Sequence, residues 1–339
     1  MMATINDVAK AAGVSTATVS RVINQSSSVL PETVTQVESA MAQVGYKIKG
    51  NQRLTINQGL NAIGLIVSRF NSPFYGLLSQ GVEKIAKQHG RKMIVASGNY
   101  DADCEEDAIK FMISKGCRNI VIHSKVMSDQ ALIQYAKQFP GLVIINRCVP
   151  TIEDQCVWLD NSEGTYQATK HLIEQGHRRI AFLSCDMEVD DKFLRFNGYR
   201  RALDEAGIEF NPDFVEEVPF GEQGGALAAT NFLNKGLPMT ALVAFNDFFA
   251  AAAIQVFKEH GVSVPEQLSI VGFDDVLPQC YFSPKLTTIR SPIESMAINA
   301  ARISLEGKNS TVSRAFHPLL IKRESVMPPS TNSFVESLR

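Results

Sequence analysis

Hydrophobic positions change their period along this chain. Between Thr4 and Asn24 they fall at helical spacing: Ile5, Val8, Ala9 and Ala12 form one stripe, and Val19, Val22 and Ile23 a second. The pattern predicts two short helices around a tight turn. Thr4 with Asp7 three residues on has the form of a capping box. Gly13 accepts the left-handed backbone of a sharp exit, and Ser15 is placed to cap the second helix. Once the stripe is assigned to a core, Thr16, Ala17, Ser20, Arg21 and Asn24 remain on the opposite side. That face is small, hydrogen-bonding and carries one guanidinium, which suits base edges in a major groove. Two amphipathic helices around a glycine also occur as ordinary core, and the pattern alone does not separate the readings. Pro31 opens a third helix ending near Gly45, with Val34, Val37, Ala40, Met41 and Val44 as its stripe.

From Ala62 onward the period shortens. Apolar runs at 63–67, 93–96, 120–123, 143–146 and 157–159 read as strands buried on both faces of a parallel sheet. Helical stretches at 74–89, 104–115 and 130–138 separate most of them. The rhythm repeats with strands at 180–183, 242–245 and 270–273 and helices near 164–175, 194–206, 225–234 and 248–260. A late strand at 286–289, a helix near 293–305 and a last strand at 319–322 follow. The predicted fold class is an all-α headpiece followed by an α/β core of two doubly wound parallel-sheet lobes.

Bulk numbers narrow the choice without deciding it. The chain has 339 residues, 45% hydrophobic and 20% charged, with net charge −2. Residues 1–60 carry five basic and three acidic side chains, hence +2, against −4 for the remainder, a faintly basic head on an acidic body. Six cysteines lie at 104, 117, 148, 156, 185 and 280 without a C-x-x-C pair, as expected of free thiols in a reducing, cytoplasmic setting. No basic-then-apolar leader and no run of 18 apolar residues occur, so neither secretion nor a membrane partner is expected.

In open parallel sheets, ligands sit beyond the carboxyl ends of the strands. Those ends carry Phe74 and Tyr75; His123, Ser124 and Lys125; Asn146 and Arg147; Asp160 and Asn161; Asn246 and Asp247; and Asp274 and Asp275. Arg195 and Phe220 come from loops or helix starts on the same side. Asp, Asn and Arg bind sugar hydroxyls in pairs, and an aromatic plate suits the apolar face of a pyranose. The competing reading makes the strand-end Asp and Asn residues caps of the helices that follow, and it stands evenly for Asp247, Asp275 and Asn161. A lone His123 is more often structural, and Phe220 also fits a core.

The string VSTATVSRVIN after a DVAKAAG helix closely resembles the helix-turn-helix of the LacI/GalR family of bacterial repressors. HSK at 123–125, INR at 145–147, LDN at 159–161, RFNGY at 195–199, FND at 245–247 and VGFDDVL at 271–277 look like its sugar-binding core. The resemblance runs from Thr4 to about Ser325 and is greatest to the galactose repressor and isorepressor branch. It implies a helix-turn-helix headpiece over 1–46, a hinge linker over 47–61, and a periplasmic-binding-protein-like core. The core's N-lobe would take 62–160 and 290–327, its C-lobe 161–289, and a polar tail 328–339. The implied partners are a double-stranded palindromic operator, a galactose-like sugar effector and a second copy of the chain. The sugar could release the operator or act as a corepressor.

The DNA-facing set expected on this basis is Thr4, Ile5, Ser15, Thr16, Ala17, Thr18, Ser20, Arg21, Asn24, Lys47, Arg53 and Leu54. The effector set is Phe74, Tyr75, His123, Arg147, Asp160, Arg195, Phe220, Asn246 and Asp274. The linker departs from the family pattern. Ile48 stands where a proline is usual, Thr55 falls on the leucine position with Leu54 one residue early, and Gly50 and Gly59 weaken a helix. Leu54 is the candidate minor-groove wedge; a flexible tether making phosphate contacts through Lys47, Lys49 and Arg53 is the alternative.

Other functions fit less well. A transporter's binding protein would lack its leader and carry a needless headpiece. An enzyme finds no G-x-S-x-G, G-x-x-x-x-G-K-[ST] or G-x-G-x-x-G, and no metal-ligand or cofactor motif. Asp274 and Asp275 are adjacent, so their carboxyls point apart rather than converging.

Overall fold

The computed structural model describes residues 3–23, 29–46, 61–278 and 283–330. The chain forms two compact units, 1–58 and 59–339. In the first, α1 (Ile5–Ala11), α2 (Thr16–Ile23) and α3 (Pro31–Val44) enclose a small core in which Val8, Val19 and Val37 are fully buried. Gly13 takes φ +62°, and the amide of Val14 returns to the carbonyl of Ala9, so the chain leaves α1 through a left-handed turn.

The second unit holds two six-stranded sheets. The first lobe runs β1 (Ala62–Val67), α4 (Pro73–Gln88), β2 (Lys92–Ser97), α5 (Ala102–Ser114), β3 (Asn119–Ile122), α6 (Asp129–Gln138), β4 (Gly141–Ile145) and β5 (Cys156–Leu159). The second runs α7 (Asn161–Glu174), β6 (Ile180–Cys185), α8 (Asp190–Glu205), β7 (Val215–Val218), α9 (Glu222–Lys235), β8 (Ala241–Ala244), α10 (Asp247–Glu259), β9 (Ser269–Asp274) and β10 (Thr287–Arg290). The chain then returns through α11 (Ile293–Glu306), β11 (Ala315–Phe316) and β12 (Leu319–Ile321). Sheet orders are β2-β1-β3-β4-β5-β11 and β7-β6-β8-β9-β10-β12. Every pairing is parallel except β10 with β12. All residues of β1 and β8 are buried, as strands covered on both faces require.

Three expectations need correction. The terminal segment does not stay with the first lobe: β11 pairs with β5, but β12 pairs with β10, so 319–327 belongs to the second lobe. Ser325 and Met327 are hydrogen-bonded to the β9 and β10 region, which fixes this third crossing. Helix α8 begins at Asp190 rather than 194, because its polar first turn hides the apolar period while Asp190 and Asp191 favour a helix N-terminus. Strand β7 was unforeseen. Its VEEV pattern offers little apolar signal, and Glu216 is buried against Lys235 and Asn231.

Candidate functional site

The headpiece sorts its expected DNA-facing residues by burial. Thr16, Ala17 and Arg21 are exposed on α2, and Ser20 is half-buried beside them. Other members also hold local structure. The Asp7 carboxylate accepts from the Thr4 amide and hydroxyl, both at 2.7 Å, and these bonds hold Asp7 below its ordinary pKa. Ser15 Oγ accepts from the Thr18 amide at 3.0 Å and lies 2.8 Å from the Thr18 hydroxyl, so Ser15 and Thr18 cap α2. Ile5 packs at the edge of the headpiece core. Asn24, Lys47, Arg53 and Leu54, with the hinge and its wedge, lie outside the described residues.

A cavity of ≈ 130 Å³ opens between the two lobes. Phe74, Tyr75, His123, Arg195, Phe220, Asn246 and Asp274 line it, together with Arg69, Tyr100, Lys125, Asp191 and Phe245, which the effector set omitted. Arg147 and Asp160 are not among its lining residues. Asp160 caps α7 by accepting from the Glu163 amide, and Arg147 is turned to Asp129 and Asp190.

The second lobe supplies a fixed guanidinium. Arg195 is 3% exposed; its Nε donates to Asn161 Oδ1 at 2.9 Å, its Nη1 donates to the Phe245 carbonyl, and its Nη2 lies 3.6 Å from Asp274 Oδ1. The same group sits 3.7 Å over the Phe273 ring and 4.6 Å from that of Phe245. Asp274 reaches the cavity from a left-handed backbone, φ +99°, and accepts from Ser291 Oγ at 3.1 Å. Burial raises its carboxyl above the ordinary range, against the pull of Arg195 and Ser291. Its neighbour Asp275 faces Arg290 and Arg323 instead, each at 2.8 Å. Asn246 serves twice, lining the cavity while its Oδ1 caps α10 at the Phe249 amide. Asp247 is buried and holds Thr288 and the Val276 amide, thereby fixing the loop after Asp274; burial lifts its pKa to about 8.

The first lobe supplies aromatic groups and a neutral imidazole. Phe74 and Tyr75 meet the His123 ring edge-on at centroid distances of 5.4 and 5.3 Å. His123 Nδ1 lies 3.2 Å from Ser68 Oγ, while its buried Nε2 has no hydrogen-bond partner among the described residues. Burial, reinforced by Lys125, lowers its pKa to about 3, so the ring is neutral. The hydroxyls of Tyr75 and Tyr100 lie 2.8 Å apart, and Tyr100 meets Phe220 of the opposite lobe at 5.3 Å. Tyr100 follows β2, and its aromatic ring carries no strand-end polar signal that would mark it in the sequence. Asp191 was missed with the first turn of α8.

The geometry defines a two-lobed small-molecule binder carrying a three-helix head. Residues 60–320 match the family of periplasmic binding proteins and the sugar binding domain of the LacI family, and residues 4–48 match the bacterial regulatory proteins of the lacI family. The HTH-type transcriptional regulator GalR of Escherichia coli is 39% identical over 333 residues, covering 97% of each chain. GalS of Salmonella typhimurium is 37% identical over 96% of this chain and 97% of its own. Among solved structures, the transcriptional regulator CelR–cellobiose complex has a TM-score of 0.69 at 29% identity, and the Lac repressor dimer bound to operator and the anti-inducer ONPF has 0.71 at 25%. Both matches cover 96% of this chain and 100% of the other.

The chain belongs to the LacI family. It is a DNA-binding transcriptional regulator with a sugar-binding-type domain, and its named relatives are regulators rather than enzymes. No described helix is long and apolar enough to cross a membrane.

Proposed function

We propose that the protein is a dimeric repressor that holds a palindromic operator through the exposed face of α2 and releases it when a small sugar, D-galactose, fills the cleft. The observation that carries this reading is the cavity itself. One guanidinium held by four partners, an aspartate, an asparagine and a histidine line, with aromatic rings, a space sized for one small polyol. The similarity to GalR and GalS supports galactose over other sugars. Two weak headpieces on one dimer gain by effective concentration. The sugar then needs a coupling of only about 1–3 kcal/mol to shift occupancy.

Thr16 and Ala17 set which bases are accepted, and Arg21 makes a base-edge or phosphate contact. Fluorescence anisotropy of a labelled palindromic operator, titrated with protein at fixed salt with and without galactose, tests the reading. Sugar-dependent release is expected. Tightening would reverse the sign to that of a corepressor, and indifference to galactose with retained operator binding would remove the sugar assignment.

A further inference from the structure

The cleft contains a second charged pair that sits beside the ligand-facing groups and joins the lobes. Lys125 follows β3 in the first lobe, and Asp191 lies in the first turn of α8 in the second. Lys125 Nζ is 2.6 Å from Asp191 Oδ2 and donates to the Asn146 carbonyl at 3.1 Å. The two side chains are only 8% and 10% exposed. Asp191 is one helical turn before Arg195, and Asn161 touches both, its Nδ2 3.5 Å from Asp191 Oδ1 and its Oδ1 accepting from Arg195. Lys125, Asp191, Arg195 and Asp274 thus alternate in sign across the space between the lobes.

Behind Lys125 stands a wholly buried carboxylate that sequence reasoning did not single out. Glu105 of α5 accepts from the Ser124 hydroxyl at 2.6 Å, the Lys125 amide at 3.1 Å and the Met127 amide at 3.3 Å. Gly98 leaves it room, since a Cβ there would overlap the Glu105 side chain. Three bonds from one rigid helix fix the segment 124–127 and with it the stem of Lys125. Arg147 and Asp190 also span the lobes, at 3.0 Å, but Asp190 is half exposed and Arg147 is already held by Asp129 and the Met127 carbonyl. That outer pair is screened by solvent; the inner one is not.

We infer that Lys125 and Asp191, aimed by Glu105, form a latch across the cleft, positioning residues that hold the lobes closed and keep Arg195 turned to the ligand. The inference rests on the cleft being the effector site. A buried ion pair that loses one partner leaves an uncompensated charge, so either single removal disfavours closure, whereas removing both leaves no orphan.

The test uses the full chain as Lys125→Met, Asp191→Asn, the double variant, Glu105→Gln and, as the outer-pair control, Arg147→Met. Two quantities are read: hydrogen–deuterium exchange without any ligand, and galactose affinity. Each inner single variant should speed exchange of the amides in 124–127 and the first turn of α8, and weaken galactose ~10- to 100-fold. The double variant should regain most of both losses. Glu105→Gln should shift exchange in 124–127 in the same direction by less, and Arg147→Met should change little. Unchanged exchange in the inner single variants, or a double variant whose losses simply add, overturns the latch. If the parent binds no galactose, the exchange measurements still decide the latch while the effector assignment falls on its own.

Discussion

The exposed face of α2 and the floor of the cleft both offer hydrogen bonds to a polar partner, but they are built in opposite ways. On α2, Thr16, Ala17 and Arg21 stand exposed on the far side of a helix whose inner stripe, Val19 and Val22, makes the core. The exposed face and the face that folds are separate. In the cleft, Arg195 is buried, hydrogen-bonded to Asn161 and Phe245 and stacked on Phe273, so a group that lines the cavity also holds the lobe together. An exposed reading face can be exchanged at little cost to folding, while a preorganised floor cannot be altered without disturbing both binding and packing.

The largest effect should follow from Arg195→Lys. Lysine keeps the charge but cannot fork between Asn161, Phe245 and Asp274 or lie flat on Phe273. Galactose affinity measured by calorimetry should fall by about 2–5 kcal/mol, with operator binding in its absence kept. If sugar affinity survives, the floor is less preorganised than this comparison holds. The next effect is on folding of the other unit. Val19→Ala removes two buried methyl groups from the small core around Val8 and Val37, at about 2 kcal/mol. A unit of this size has little stability to lose. Exchange of headpiece amides should accelerate strongly while the two-lobed unit melts unchanged. A comparable shift in both units would show that they do not fold independently. Third, joint substitution of Thr16 and Ala17 should change the preferred operator at about 1–3 kcal/mol per altered base pair and leave both melting and sugar affinity alone. Recovery of the original operator in a binding-site selection would remove these residues from the reading face.

The same contrast explains what the sequence disclosed. The headpiece was legible nearly residue by residue, because subtracting a 3.6-residue stripe leaves the outward face behind. Thr4, Asp7, Gly13 and Ser15 act in the structure as their local chemistry predicts. The two lobes were legible from buried apolar runs, yet β7 was not, since its VEEV pattern carries little apolar signal, nor was the lobe that β12 joins, since a strand's period does not name its partner. Cleft residues were hardest to place, because the meaning of a strand-end Asp or Asn turns on a one-residue register. Asp160 caps α7, while Asn161 beside it holds Arg195. Asn246 caps α10, and Asp247 beside it is a buried strut. Asp274 faces the cavity, and Asp275 faces two arginines. Nothing local tells a cap from a cavity-lining residue at such positions. Asp191 needed both a helix start and a neighbouring lobe to acquire its role.

A further expected effect is one of pH on the strut behind the floor. Burial lifts the Asp247 carboxyl to about 8, opposed by its bonds from Thr288 and the Val276 amide, while Asp274 and Asp275 add to the rise. The folded pKa lies above the unfolded one, so the folded chain binds the extra proton between them. This contribution to stability is whole below about pH 4 and is lost as pH rises toward about 8. Asp247→Asn offers the same pattern as the protonated acid, with an oxygen to accept from Val276 and a donor toward Thr288. Near pH 4–5 the substitution should therefore be close to neutral. Melting of the two-lobed unit, followed from pH 4 to 8, should then decline less steeply in the variant than in the parent. Parallel profiles would mean that Asp247 is ionised in the fold, held by its two donors, and that the second lobe tolerates buried charge at its floor as readily as α2 tolerates charge on its surface.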